Sequence, residues 1–100
     1  MTVEKEKNKD ILTVRIIGSV DAGTAEQLRA ELEGELDDVT FVRFDMKDMD
    51  YISSAGLRVI LEVYQVLEGK GGKVAIENVI EDLREIFEDT GFSEFMEMKN

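Results

Sequence analysis

The sequence predicts an α/β domain over residues 1–100, with a small, mixed and mostly parallel sheet of four to five strands and its helices packed on one face. Two observations carry this. Short segments that alternate apolar and polar residues are separated by stretches of helical periodicity, the pattern of parallel strands joined by crossover helices. The alternation also means that one side of the sheet meets water, because parallel strands covered on both faces read as continuous apolar runs. Helices confined to one face require successive strands to be added in one direction, which disfavours a doubly wound sheet. The chain has no proline, recognisable repeat, low-complexity segment or interdomain linker.

Val3 to Lys7 reads as an edge strand, joined by the Asn8-Lys9-Asp10 turn to Ile11–Ile17, where Leu12, Val14 and Ile16 oppose Thr13 and Arg15. A helix follows Asp21, with Ala25, Leu28, Leu32 and Leu36 on one face, and ends at Asp37-Asp38. Val42, Phe44 and Met46 alternate with Arg43 and Asp45 to give the next strand. Asp48 and Asp50 fall in an acidic loop after it. A second helix runs from about Ser54 to Leu67 and stops at Gly69-Lys70-Gly71-Gly72. Val74 and Ile76 against Lys73, Ala75 and Glu77 form a further strand. The third helix carries Ile80, Leu83, Ile86 and Phe87 and closes at Gly91, and Phe95 to Met98 reads as a last short strand.

Composition excludes more than it selects. With 12 basic against 23 acidic residues the formal net charge is -11, which repels nucleic acid and anionic membranes and speeds encounter with a basic partner. Cysteine, histidine and tryptophan are absent, which removes disulfides, thiol and imidazole chemistry and every Cys/His metal constellation. No cofactor is expected, and a non-enzyme is. Asp45, Asp48 and Asp50 with Asp21 could converge on one rim of the sheet, but acids so close in a loop read as a solvated, turn-favouring run, and no metal is assigned. The segment Met1–Lys7 lacks an apolar signal core and no later run approaches a membrane span, so a cytoplasmic protein is expected.

The most informative stretch is Tyr51-Ile52-Ser53-Ser54-Ala55-Gly56-Leu57-Arg58-Val59-Ile60-Leu61, which sets paired hydroxyls where a loop becomes an apolar helix. At a helix start the first N–H groups lack intrahelical partners and the macrodipole is positive, so a phosphate on a serine there is favoured. The structural alternative is that Ser53 is an N-cap, a role worth about 1 kcal/mol. A receiver domain, which also sets acids and hydroxyls at strand ends, fails on the alternating sheet pattern. The glycines after the second helix stand in the reverse of P-loop order.

With Gly18-Ser19-Val20-Asp21-Ala22-Gly23-Thr24-Ala25 upstream, and Gly71-Gly72-Lys73-Val74, Ile86-Phe87 and Thr90-Gly91-Phe92 downstream, the chain resembles the STAS family, specifically the stand-alone bacterial anti-sigma factor antagonists, over nearly its whole length. The resemblance implies the same one-sided α/β fold. It implies that Ser54 is a phosphoacceptor, with Ser53 the lesser candidate, and that Asp21 lies near the phosphorylation site. It further implies binding to an anti-sigma factor that is an ATP-dependent serine kinase, release of a sigma factor, and reversal by a serine phosphatase. Ser53 stands where better-known members carry an Asp, Ala55 where Ser or Thr is frequent, and Arg58 where Gly is frequent. The competing class is a STAS scaffold or a subunit of a larger regulatory or transport assembly, never phosphorylated, in which both serines serve only as caps.

The helix after Ser54 carries an apolar arc of about 200°, wider than the ~100° stripe a surface helix needs. Leu57, Ile60, Leu61 and Tyr64 centre it, and Val59, Val63 and Val66 extend it. These valines either pack beneath a neighbouring helix or form an exposed patch. The partner is expected to dock over the Ser54 loop and the adjoining helix face, using Ser53, Arg58 and at least one of Val59, Val63 and Val66.

Overall fold

The computed structural model describes residues 1–99, and Asn100, the last residue of the expected domain, lies outside them. In chain order the elements are β1 (Thr2–Asn8), β2 (Ile11–Val20), α1 (Ala22–Leu32), β3 (Phe41–Asp45), β4 (Met49–Ile52), α2 (Ser54–Gly69), β5 (Lys73–Glu77), α3 (Glu81–Asp89), a single 3₁₀ turn (Phe92–Glu94) and β6 (Glu97–Lys99). The sheet runs β1-β2-β3-β5-β6, with β4 paired to β2. Among the described residues only the β1–β2 hairpin is antiparallel, with Thr2 opposite Ile17 and Asn8 opposite Ile11.

The alternating residues divide the sheet as expected. Leu12, Val14, Ile16, Val42, Phe44, Val74 and Ile76 are buried in one cluster with Leu28 and Leu32 of α1, Val59, Ile60 and Val63 of α2, and Leu83 and Phe87 of α3. The opposite face carries ion pairs from strand to strand, Glu4 to Arg15 (3.2 Å), Arg15 to Asp45 (3.3 Å) and Arg43 to Glu77 (2.9 Å). Ala75, expected on the wet side, is fully buried opposite Arg43, between the flanking strands β3 and β6.

Two further expectations are corrected. The sheet has six strands rather than four to five, because Met49–Ile52 is a strand and not part of an acidic loop. It continues the line of β3 along β2: Leu12 pairs with Val42 in the first half of β2, and Val20 with Ile52 in the second. The first helix also ends at Leu32, four residues before Leu36. Glu33 is already extended, and Gly34 takes a φ of 79°, a left-handed conformation that costs glycine little. Leu36 packs against the core from the following loop instead.

Candidate functional site

Strands β2 and β4 are parallel and in register at their ends, and each delivers its chain directly into a helix. Val20 opposite Ile52 places Asp21 and Ser53 side by side at one end of the sheet, the former as N-cap of α1, the latter as N-cap of α2. The backbone N–H of Ser53 donates to the Val20 carbonyl at 2.8 Å, tying the two exits together.

The Ser53 hydroxyl accepts from the Gly56 N–H at 3.2 Å and is half-buried, so it is committed to the cap. Ser54, the first helical residue, is exposed, and its hydroxyl makes no hydrogen bond among the described residues. Of the paired hydroxyls, one holds the backbone and the other faces solvent. Gly56 explains how tightly the turn sits: a Cβ there would lie 2.8 Å from both Val20 Cγ1 and Ile52 Cγ1, so only a glycine lets the helix start press onto the two strand ends.

Asp21 is engaged differently. Its Oδ1 accepts from the Thr24 N–H at 2.9 Å, and the Thr24 hydroxyl accepts from the Asp21 N–H at 2.8 Å, a reciprocal capping box. The hydrogen bond from the Thr24 backbone, followed by that from its side chain, holds the Asp21 carboxyl below the usual aspartate range. Asp21 is therefore a fixed negative charge beside the serine pair. The other acids do not gather with it. Asp50 accepts from the Ser19 hydroxyl at 2.5 Å, while Asp45 takes Arg15 and Asn78 on the open sheet face. Among the described residues no group of three or more acids is placed to hold a metal ion.

Along α2 the valines separate. Val59 and Val63 are 1% and 4% exposed and line, with Leu32 and Leu36, a groove of about 330 Å³ between α1 and α2. Neighbouring-helix packing thus accounts for both, and their expected place on an exposed partner surface is corrected. Val66, 50% exposed, remains at the surface. Arg58 is exposed one turn beyond Ser54, and both line a groove of about 520 Å³ together with Thr90 and Phe92.

Three features escaped the sequence reading. Thr24 stands at capping-box spacing from Asp21, a signal that was present. Tyr51 is an exposed aromatic, 49% accessible, three residues before Ser54. Arg29 of α1 reaches Glu62 of α2 through Nε at 2.9 Å and Nη2 at 3.0 Å and holds the Glu62 carboxyl below its usual range; nothing local in the sequence pairs these residues.

A six-stranded sheet with one helical face, and a helix start where one serine caps and the next is exposed, define a small α/β module, and comparison with known proteins names its family. The STAS domain model matches residues 2–100, and the chain belongs to that family. It is 36% identical over 101 residues to the proposed anti-sigma factor antagonist BtrV of Bordetella bronchiseptica, covering 100% of this chain and 87% of that one. It is 28% identical over 98 residues to the anti-sigma-B factor antagonist of Bacillus subtilis, covering 98% and 90%. In fold it is similar to the anti-sigma factor antagonist SpoIIAA in its unphosphorylated form (TM-score 0.81, 20% identity, 99% of this chain and 88% of that chain) and to Bacillus SpoIIAA in its phosphorylated form (TM-score 0.79, 20% identity, 99% and 92%). No helix among the described residues is long and apolar enough to cross a membrane.

Proposed function

We propose that this chain is an anti-sigma factor antagonist whose affinity for its partner is switched by phosphorylation of Ser54. The observation that carries the reading is the division of labour at the start of α2: Ser53 is occupied as the cap, and Ser54 is exposed with an unbonded hydroxyl. The relatives named as anti-sigma factor antagonists, matched over nearly their full length, support the role. In the transfer step Ser54 Oγ attacks the γ-phosphorus of ATP bound by the partner, the bond to the bridging oxygen breaks, ADP leaves, and the hydroxyl proton passes to a base of the partner kinase. The unmodified form binds the anti-sigma factor and releases a sigma factor. The modified form dissociates, because a near-dianion beside the fixed charge of Asp21 repels and obstructs a close interface. A serine phosphatase resets the switch, and the protein performs no catalysis of its own.

Co-purification from the native cell, followed by phosphosite mapping by tandem mass spectrometry, tests partner and switch together. An anti-sigma factor in the eluate and phosphate on Ser54 are expected. Phosphate on Ser53 overturns the site assignment, and phosphate on neither serine overturns the switch in favour of a constitutive scaffold.

A further inference from the structure

Arg15, Arg29, Arg43 and Arg84 each meet a carboxylate, at 3.3, 2.9, 2.9 and 3.7 Å. The remaining arginine, Arg58, forms no ion pair or hydrogen bond among the described residues, in a chain with 23 acidic side chains. The reason lies on the neighbouring helix. Glu62, one turn beyond Arg58 and its natural i,i+4 partner, has its carboxylate turned across the helix pair to the Arg29 fork. Arg58 is left exposed with only a through-space attraction to the Glu62 carboxylate, and helical side chains lean toward the N-terminus of their own helix, which for Arg58 means toward Ser54 four residues earlier. Ser54 and Arg58 line the same groove, together with Leu57 and Leu61 of α2 and with Thr90 and Phe92 from the segment after α3.

We propose that Arg58 is an intramolecular clamp for the Ser54 phosphate, its guanidinium pairing bidentately with two phosphate oxygens across one helical turn. The proposal rests on Ser54 as the phosphoacceptor and adds what the modification does next. A planar fork matches two phosphate oxygens as an ammonium does not. In the unmodified protein the same guanidinium is available to a carboxylate of the partner. Phosphorylation then acts twice: it adds negative charge at the rim and withdraws the one arginine of that rim from the partner.

The test uses the full chain with phosphoserine installed at position 54 during synthesis, so that no kinase is needed. The probe is the phosphorus resonance of that phosphate, titrated by NMR in the native, Arg58→Lys and Arg58→Gln backgrounds at low ionic strength. Asp21 at the adjoining helix start and Glu62 in the groove push the phosphate's second pKa up in all three backgrounds, so the difference between backgrounds isolates Arg58. The native curve should lie roughly 0.3 to 0.6 unit below that of Arg58→Gln, with the gap closing in high salt and Arg58→Lys falling between. Superimposed curves for native and Arg58→Gln would overturn the clamp, and a lysine curve coincident with the native one would overturn the fork geometry. Arg58 is exposed, so matching melting curves of the unmodified forms confirm that folding is not what changes. Failure of any kinase to label Ser54 would leave these curves where they are, so the two readings fail separately.

Discussion

Two helices begin side by side at one end of the sheet, and they are finished in different ways. At the start of α1 the cap is closed on itself: Asp21 and Thr24 satisfy each other's backbone donors within four residues. At the start of α2 the cap is completed by the sheet. Ser53 accepts from Gly56, but its own N–H goes to Val20 on β2, and the third helical position is a glycine with no side chain to reciprocate. A threonine at that position, as in α1, would collide with Val20 and Ile52. The exposed hydroxyl follows from this contrast: pressing α2 onto the strand ends uses up Ser53 and leaves Ser54 outside.

Helices α1 and α2 are locked together behind their starts, and the largest effect should come from prising them apart. Val63, 4% exposed, faces the groove against Leu32. Val63→Glu buries a carboxylate in a groove whose one guanidinium, Arg29, is already held by Glu26 and Glu62, and should cost several kcal/mol, enough to unfold much of the population. Val66→Glu, one turn on at a residue 50% exposed, should change stability by only about 0.5 kcal/mol or less. Thermal melting of the pair checks both, and comparable melting temperatures would mean that the groove opens more readily than its packing indicates.

The second effect distinguishes the two starts directly. Gly56→Ala puts a Cβ within 2.8 Å of two β-branched side chains and should cost about 1–3 kcal/mol. Gly23→Ala, in the first turn of α1, meets only Asp21 Oδ1 at 3.5 Å and should be neutral or slightly stabilising, since alanine is the better helix former. Denaturant melts should therefore move in opposite directions or not at all for Gly23→Ala, and a loss at Gly23 equal to that at Gly56 would erase the contrast.

Loss of the caps themselves comes next. Ser53→Ala should cost about 1 kcal/mol at any pH between 3 and 8, because a hydroxyl acceptor does not titrate there. Asp21 carries a sign with pH. Its folded-state pKa is depressed, so its contribution is fully present above the unfolded aspartate value and is lost as pH falls through the lower folded value. The melting-temperature gap between the native protein and Asp21→Asn should accordingly shrink as the solution is acidified below the ordinary aspartate range. A gap that widens on acidification would show that the capping box does not hold the charge.

How much of this was legible follows from which contacts are local. The paired serines at a helix start, the alternating faces of β2 and β3 and the wide apolar arc of α2 are short-range patterns that stand in the structure as read, whereas the alternation of β5 holds except at Ala75, which the flanking strands bury. Strand β4 was not legible because Asp50 and Tyr51 are both exposed between buried Met49 and Ile52, which breaks the period of two. Helix α1 ends earlier than its apolar spacing predicts, because Leu36 continues that spacing although Gly34 marks the stop. Whether Val59 and Val63 were core or surface depended on where α1 lies, and so did the capture of Glu62 by Arg29. No single-helix pattern contains that information.

The smallest effect on the fold belongs to the residue expected to matter most for function. Ser54 is exposed, its hydroxyl is unbonded and the cap next to it is supplied by Ser53, so Ser54→Ala should shift stability by no more than about 0.5 kcal/mol. On the proposed reading the same change removes the acceptor oxygen, so labelled phosphate from ATP should no longer reach the protein, while calorimetric affinity for the anti-sigma factor stays at the native value. Ser54→Asp should weaken that affinity only in part, because a carboxylate carries less charge than a phosphate and offers fewer acceptor oxygens. The start of α1 supplies the control: Thr24→Ala opens the capping box without touching α2 and should lower stability while leaving labelling at Ser54 intact. Equal partner affinity for the native, Ser54→Ala and genuinely phosphorylated forms would remove the switch and leave the two helix starts differing in architecture alone.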